Sequence, residues 1–167
     1  MERKLLIIRH AKSSWDHDGL ADLFRPLSER GLRNASTMAE RLKKMKVIPE
    51  LLLTSPATRA LNTALIMSRV WDLPPRALQI REEIYEAAPR DLDVVLQTVP
   101  DDVTRVALFG HNPTFTRFPN RFLKPPLDNL PTAGVVVITF DTEGWNDLDE
   151  SRVVDTYVDY PKKKHKS

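Results

Sequence analysis

The chain of 167 residues has the composition of one soluble globular domain. Hydrophobic residues make up 41% and charged residues 29% of it, which argues against wholesale disorder. A chain of this length buries a full hydrophobic core without cross-links. The sequence contains no cysteine, so a disulfide framework, a thiol nucleophile and a cysteine-based metal centre are excluded.

The formal net charge is +2, and four lysines between positions 162 and 166 account for the positive excess. The rest of the chain is slightly acidic, which is not typical of a protein that binds nucleic acid. Apolar runs such as residues 5–8 and 135–138 are too short to span a bilayer, and the first run has no secretory leader pattern. We therefore expect a cytoplasmic protein that binds neither nucleic acid nor membranes.

Strand and helix patterns alternate along the chain. Ser28 predicts the N-cap of a helix whose apolar face includes Leu32, and Ser55 followed by Pro56 predicts the start of a second helix. In chain order, the predicted elements are a strand over 5–8, a loop over 12–26, a helix over 29–45, a strand over 51–54, a helix from 56, a strand over 78–81, a helix over 92–99, a strand over 106–109, a cap and first helical turn at 112–113, a loop over 119–132, and strands over 135–140 and 153–158.

The alternation of strands and helices indicates βαβ units. We predict an α/β protein with a largely parallel sheet that is covered on both faces. The last strand has the alternation of an edge strand. The domain is expected to span residues 1–160, and residues 161–167 are expected to form a basic, disordered tail.

Polar side chains follow four of the predicted strands. They are Arg9 and His10 after the first, residues 55–59 after the second, 82–86 after the third and 110–112 after the fourth. The carboxyl ends of parallel strands share one edge of the sheet, and ligands of such folds bind there. We therefore expect these four groups to face one rim.

This rim combines two histidines, several arginines and a carboxylate. The arginine guanidinium presents a planar set of donors that matches phosphate oxygens. Histidine titrates near pH ~6.5, and neighbouring positive charges favour its neutral form. A neutral imidazole among arginines is suited to attack phosphorus, and the chain has no P-loop motif for a nucleotide.

Three stretches of the sequence resemble a known family. They are Arg-His-Ala-Lys-Ser-Ser-Trp at 9–15 with Arg-Pro-Leu-Ser-Glu-Arg-Gly at 25–31, and Gly-His-Asn-Pro at 110–113. Together they are similar to the histidine phosphatase superfamily and to its SixA-type phosphohistidine phosphatase branch. The resemblance covers about residues 4–140, with further matches at 54–56, 59–60, 63, 85–87 and 130–134. It implies a phosphoglycerate mutase-like fold, a three-layer αβα sandwich with a mostly parallel sheet and an antiparallel edge strand.

The resemblance also implies a role for the charged residues of the rim. His10 would be the nucleophile that becomes transiently phosphorylated, and water would then hydrolyse this intermediate without a metal or another cofactor. Arg9 and Arg59 would hold the phosphoryl oxygens, with Arg25 reaching in from the loop before the first helix. His111 would donate a hydrogen bond to the transferring group and balance its charge.

A proton donor for the leaving group is implied after the third strand. Glu86 matches that position best, and Glu82 and Glu83 are the alternatives. The third residue of the first motif is Ala11, where glycine is commoner in the superfamily, and the SixA-type branch tolerates this alanine.

The chain lacks the long insertions with which larger members of the family enclose small substrates. An open site suits a phosphorylated side chain on another protein, so we expect a monomeric phosphatase that acts on phosphohistidine in a partner protein. Two alternatives stay open: a phosphomonoesterase of broad specificity for small phosphoesters, and a phosphate-binding module without catalysis. Asp16, His17, Asp18 and Asp22 also invite a metal interpretation, but a polar loop is the simpler one.

Overall fold

Strands and helices alternate in this computed structural model, which describes residues 1–146 and 148–164. Within the described residues the strands are β1 (Glu2–Arg9), β2 (Leu51–Thr54), β3 (Leu78–Ile80), β4 (Arg105–Gly110), β5 (Val135–Asp141) and β6 (Val153–Asp159). The α-helices of the same residues are α1 (Glu29–Lys44), α2 (Thr58–Val70), α3 (Pro89–Gln97) and α4 (Thr114–Asn120).

The strands form one mixed sheet in the order β3-β2-β4-β1-β5-β6. The first four strands of the chain are parallel to one another. β5 is antiparallel to β1, and β6 is antiparallel to β5. As expected, β6 is an edge strand and pairs antiparallel with its neighbour. The strand that runs opposite to all the others, however, is β5, which lies next to the edge strand. β6 therefore runs in the same direction as β1.

Helices cover both faces of the sheet, because successive side chains of a strand point to opposite sides. Leu5 and Ile7 of β1 pack into a core with side chains of α3 and α4. Leu6 and Ile8 pack into a second core with side chains of α1 and α2. A strand buried on both faces needs a continuous apolar run, which explains the sequence of β1 and confirms the three-layer α/β architecture.

Helix α1 begins where the sequence predicts. The Ser28 hydroxyl accepts the Gly31 amide at 3.0 Å, which satisfies one of the free donors of the first turn. Leu32 was expected on the buried face of this helix and is instead 46% exposed, whereas Met38 is fully buried. Leu32 lies at the border of the face that Ala35 and the other buried residues define, so this prediction was wrong.

Helix α2 begins two residues later than the Ser55-Pro56 pair predicts. Its first residue is Thr58, and the N-cap position is Ala57. The Ser55 hydroxyl accepts the Ala57 amide at 3.2 Å, so it stabilises a turn before the helix. The prediction of a helix start at Ser55 was wrong for this reason.

Asn112 does not cap helix α4, although the sequence suggested a cap there. The helix begins at Thr114, and Pro113 occupies the N-cap position. The Asn112 amide instead donates to the Leu130 carbonyl at 3.2 Å and accepts the Thr116 hydroxyl at 2.8 Å. Asn112 therefore ties the end of β4 to the loop that precedes β5.

The segment after β6 packs against helix α1. Arg41 donates to the carbonyls of Tyr160 at 3.1 Å and of Pro161 at 3.2 Å. Lys163 donates to the Val158 carbonyl at 2.5 Å. The predicted tail starts in this segment, and its last three residues, 165–167, lie outside the described residues. None of the described helices is long and apolar enough to cross a membrane.

Candidate active site

The carboxyl ends of the parallel strands bring the two motif histidines together. Arg9 and Gly110 are paired at the ends of β1 and β4, so His10 and His111 leave adjacent strands side by side. Their ring centroids lie 5.3 Å apart with an interplanar angle of 51°. Residues separated by more than half of the chain thus meet because β1 lies next to β4 in the sheet.

His10 is buried and fixed through its backbone and one ring nitrogen. Its amide donates to the Gly110 carbonyl at 3.0 Å, and its carbonyl accepts the Ala133 amide at 3.0 Å. The ring Nδ1 lies 2.7 Å from the Ala11 carbonyl, which can only accept a hydrogen bond. Nδ1 therefore carries the ring proton, and Nε2 keeps its lone pair free for an electrophile.

Both histidines are neutral at physiological pH. Burial and the positive charges of Arg59, Arg9 and Arg25 together lower the pKa of His10 to about 4, against the opposing effect of the Ala11 hydrogen bond. Burial also lowers the pKa of His111 to about 3, helped by the neighbouring charges of His10 and Arg59. A neutral His10 is the form that can act as a nucleophile.

His111 is oriented by Ser55, which sequence analysis had assigned to a helix start. The His111 Nε2 lies 2.8 Å from the Ser55 hydroxyl. That hydroxyl also accepts the Ala57 amide, and it keeps both a proton and a second lone pair, so the contact with Nε2 fits either ring tautomer. The Nδ1 atom of His111 is buried without a hydrogen-bond partner among the described residues.

Three arginines surround the two histidines. The Arg9 Nη1 donates to the Leu130 carbonyl at 2.9 Å, which anchors this side chain to the loop before β5. Arg59 lies in the first turn of α2, as predicted, and is buried. A positive charge at a helix N-terminus is unfavourable unless an anion lies nearby. This position therefore fits an arginine that holds an anion.

The site contains several buried donors that no described residue satisfies. They are the Nε atoms of Arg9, Arg25 and Arg59 and the Nδ1 atom of His111. Buried polar atoms are nearly always hydrogen-bonded. A cluster of unsatisfied donors therefore indicates a ligand that has several acceptor atoms. The cavity above them measures about 380 Å³ and is lined by Arg9, His10, Lys12, Ser13, Trp15, Arg25, Arg59, His111, Asn112 and Thr132.

Asp22 supplies a negative charge to two of these arginines. Its carboxylate accepts Arg59 at 3.0 Å, Tyr85 at 2.8 Å and Arg25 at 3.2 Å, and its carbonyl accepts Arg59 at 2.7 Å. Burial opposes ionisation of this carboxyl, but the hydrogen bonds from Tyr85 and Arg59 and the charge of Arg59 outweigh it. They lower the pKa of Asp22 to about 2. Asp22 is therefore ionised at every working pH.

Sequence analysis missed the contacts of Asp22 and Tyr85. The loop over 12–26 was read as polar and irregular, and its one short 3₁₀ turn at Asp22–Phe24 has no clear periodicity in the sequence. The spacing of three residues between Asp22 and Arg25 is the signal that pairs them, as it does within a helical turn. The contacts with Arg59 and Tyr85 depend on the tertiary fold.

Arg25 reaches the cavity from the loop before α1, in the place that the motif comparison implies. Its Nη1 donates to the Ser13 hydroxyl at 2.5 Å, and its guanidinium carbon lies 3.8 Å from the centre of the Trp15 ring. Trp15 is 76% exposed, so this stacking orients the arginine at the mouth of the cavity rather than in a core.

Glu86 lines a cavity next to the one that contains His10. This adjoining cavity measures about 450 Å³ and shares Arg59, His111 and Asn112 with the first. Of the two alternative carboxylates, Glu83 pairs with Arg81 at 2.6 Å, and Glu82 is exposed. Glu86 is exposed too and adopts a positive φ of 56°, a conformation that an L-residue rarely holds without support from its surroundings.

Within residues 1–146 and 148–164, no group of three or more His, Asp or Glu side chains is arranged to hold a metal ion. Asp16, His17 and Asp18 are exposed, and Asp22 is engaged by arginines instead. The positive charge that surrounds the cavity comes from Lys12 and the three arginines.

Comparison with known proteins finds one family. The model of the histidine phosphatase superfamily (branch 1) matches residues 5–93. An uncharacterized protein of Mycobacterium tuberculosis is 37% identical over 107 residues, which make up 64% of each protein. The chain spans 55% to 64% of the length of the first curated relatives that it matches.

Solved structures share the fold over nearly the whole chain. A protein from Nakamurella multipartitia that is assigned as the phosphohistidine phosphatase SixA superimposes with a TM-score of 0.82, 20% identity and 98% coverage of both chains. The protein histidine phosphatase SixA in complex with tungstate gives a TM-score of 0.72, 23% identity and 94% coverage of both chains. Identities at this level establish a common architecture.

Proposed function

The chain belongs to the histidine phosphatase superfamily, branch 1, and we propose that it is a metal-independent phosphatase that works through phosphorylated His10. The observation that carries this proposal is the free lone pair on the Nε2 atom of His10 in a cavity that Arg9, Arg25, Arg59 and His111 also line. A nucleophile and a set of fixed donors are what phosphoryl transfer requires, because positioning and electrostatic stabilisation supply most of the catalysis.

Each transfer step uses the same residues. In the first step, Nε2 of His10 bonds to phosphorus while the bond from phosphorus to the leaving atom of the substrate breaks. In the second, a water oxygen bonds to phosphorus, the bond to Nε2 breaks and its electron pair returns to the ring, and both water protons leave with the product as dihydrogen phosphate. The guanidinium groups of Arg9, Arg25 and Arg59 and the ring of His111, all of which line the cavity, donate to the phosphoryl oxygens in both steps.

We further propose phosphohistidine in a partner protein as the substrate. Asp22 is ionised at neutral pH and therefore cannot protonate a leaving group, and Glu86 lies in the adjoining cavity. An alkoxide leaving group needs such a proton donor. Phosphohistidine can instead carry a proton on its other ring nitrogen, because imidazole titrates near pH ~6.5, and it then leaves as neutral imidazole without a donor from the enzyme. The likeness of the fold to SixA proteins supports the same substrate. Tungstate, bound by one of them, is a tetrahedral oxyanion like phosphate.

The first prediction concerns His10 itself. His10→Ala should abolish formation of an acid-labile, alkali-stable phosphoenzyme and lower turnover of para-nitrophenyl phosphate by more than about 10³-fold, because the covalent route is lost. Phosphoenzyme is measured by rapid quench with a radiolabelled phosphoryl donor. His17→Ala is the matched control, since His17 lies exposed outside the cavity.

Retention of wild-type turnover by His10→Ala would refute the proposed function. Turnover that disappears with EDTA would refute its independence of metal. The substrate is tested by comparing kcat/KM for a phosphohistidine protein with that for small phosphoesters. A clear preference for the small esters would favour a phosphomonoesterase instead.

A further inference from the structure

Another cleft, separate from the cavity that Glu86 lines, opens beside the active-site cavity. We call it the side cleft. It measures about 210 Å³ and shares Lys12 and Thr132 with the active-site cavity. Its lining residues are Lys12, Arg30, Asn34, Pro131, Thr132, Tyr160, Pro161 and Lys162. Two of these, Tyr160 and Pro161, immediately follow β6, and Lys162 belongs to the basic segment that sequence analysis set apart as a tail.

The walls of the side cleft are held in place by hydrogen bonds. On one side, the carbonyl of Lys12 accepts both the amide and the hydroxyl of Ser28, so Lys12 is fixed against the start of α1. On the other side, Arg41 binds the carbonyls of Tyr160 and Pro161. The cleft is therefore part of the folded domain.

The lining of the side cleft is positively charged. Lys12, Arg30 and Lys162 contribute three cations, and no carboxylate is among the lining residues. In the part of the chain that the structure describes, none of these three cations pairs with a carboxylate within 4 Å. Three unpaired cations around one cleft attract a negatively charged group.

Building on the proposed function, we propose that the side cleft binds an acidic side chain of the phosphorylated partner protein, close in sequence to the phosphorylated residue. The two cavities share Lys12 and Thr132, so they are neighbours on the surface and one peptide can reach both. Pro131, Pro161 and the Tyr160 ring offer apolar surface for the methylene stem of a glutamate, and the cations offer donors for its carboxylate. The cleft selects substrates, whereas the cavity around His10 performs the transfer.

The test compares two phosphohistidine peptides that differ only in whether glutamate or glutamine flanks the phosphorylated residue. Wild-type protein should favour the glutamate peptide by about 5- to 20-fold in kcat/KM, mainly through KM, because each exposed ion pair contributes up to about 1 kcal/mol. The double variant Arg30→Ala/Lys162→Ala should reduce this ratio to about one. Added salt should also lower the ratio in the wild-type protein.

The matched control is the double variant Arg33→Ala/Lys44→Ala. These residues lie on α1, carry the same total charge and line a different cavity. The control should keep the preference for glutamate. A wild-type ratio near one, a ratio that survives Arg30→Ala/Lys162→Ala, or an equal loss in the control would overturn the proposal.

A binding measurement separates this proposal from the proposed function. Fluorescence anisotropy with labelled peptides that contain a non-hydrolysable phosphonate analogue of phosphohistidine reports on the side cleft without turnover. Preference for glutamate in binding, together with no phosphoenzyme on His10, would support the cleft and refute the catalytic proposal. Phosphoenzyme formation on His10 without any preference for glutamate would support the catalytic proposal and refute the role of the side cleft.

Discussion

Asp22 occupies hydrogen-bond donors of Arg25 and Arg59 that a phosphoryl group would also use. Its carboxylate bridges the two guanidinium groups and the Tyr85 hydroxyl. Half of this side chain is exposed, so it can move away without disturbing the core. An anionic side chain beside an anion site repels the ligand, and we interpret Asp22 as a competitor for the arginines rather than a support.

Substitution of Asp22 tests this interpretation. Asp22→Asn should tighten binding of tungstate by about three- to tenfold, because a repulsion of roughly 1 kcal/mol near the surface is removed. Isothermal titration calorimetry measures the affinity directly. Asp18→Asn, in the same exposed loop, is the control for a general change in charge. Weaker binding of tungstate by Asp22→Asn would mean that Asp22 holds the arginines in their binding geometry.

At the scale of elements, α1 packs closely against the loop after β1, which carries Lys12. Lys12 lines both the active-site cavity and the side cleft. Ser28 binds the Lys12 carbonyl at the start of the helix, and Gly31 faces the same carbonyl. A Cβ atom at Gly31 would lie 2.1 Å from the Lys12 carbonyl oxygen, which is too close for any real contact. Glycine has a low helix propensity, but at this position its missing Cβ allows the helix to pack against the loop that carries Lys12.

This contact gives a prediction about stability. Gly31→Ala should lower the free energy of unfolding by about 1–3 kcal/mol despite the better helix propensity of alanine, because the helix or the loop must shift. Urea denaturation measures the change. Gly144→Ala is the control, since the nearest atom to its added Cβ is a movable side-chain oxygen of Asp101 at 3.1 Å. Equal effects of the two substitutions would contradict the role given to the contact.

The strands and the helix starts differ in how well the sequence predicts them. The strands were found because their apolar runs are set by burial on both faces, a property of the sheet as a whole. The starts at Ser55-Pro56 and Asn112-Pro113 were misplaced because serine, asparagine and proline favour turns as well as helix caps. In both places a turn precedes the helix. The two turns carry Ser55, which contacts His111, and Asn112, which lines the active-site cavity.

At the scale of the whole molecule, the sequence predicts which residues follow the strand ends but not what those residues contact. His10 and His111 meet because parallel topology places the ends of β1 and β4 side by side. The pairing of Asp22 with Tyr85 joins loops 63 residues apart, and no local pattern encodes it. The side cleft is lined by residues that follow β6, so its position depends on the direction of that strand. The direction of β6 is set by β5, which is antiparallel to it.

The two buried histidines also set how the whole fold responds to acid. The pKa of His10 is lowered to about 4 and that of His111 to about 3 in the folded protein, whereas an unfolded histidine titrates near ~6.5. Between these values the unfolded chain binds more protons than the folded one, so stability should decrease as the pH falls from about 6.5 towards 4.

Denaturation of the wild-type protein and of His10→Gln across this pH range measures the effect. The variant lacks one of the two groups, so its stability should depend less steeply on pH. His17→Gln, outside the site, is the control and should keep the wild-type slope. Identical slopes for the wild-type protein and His10→Gln would show that burial does not keep His10 neutral.

The direction of β6 has a practical consequence for experiments on this protein. Because β6 runs with β1, the chain leaves the sheet at the edge that carries His10, and the turn after Asp159 forms part of the side cleft. A fluorescent reporter attached at Lys162 would lie at the side cleft and obstruct the peptide. A reporter attached at Glu2 would lie at the far end of β1 and leave the entrance free.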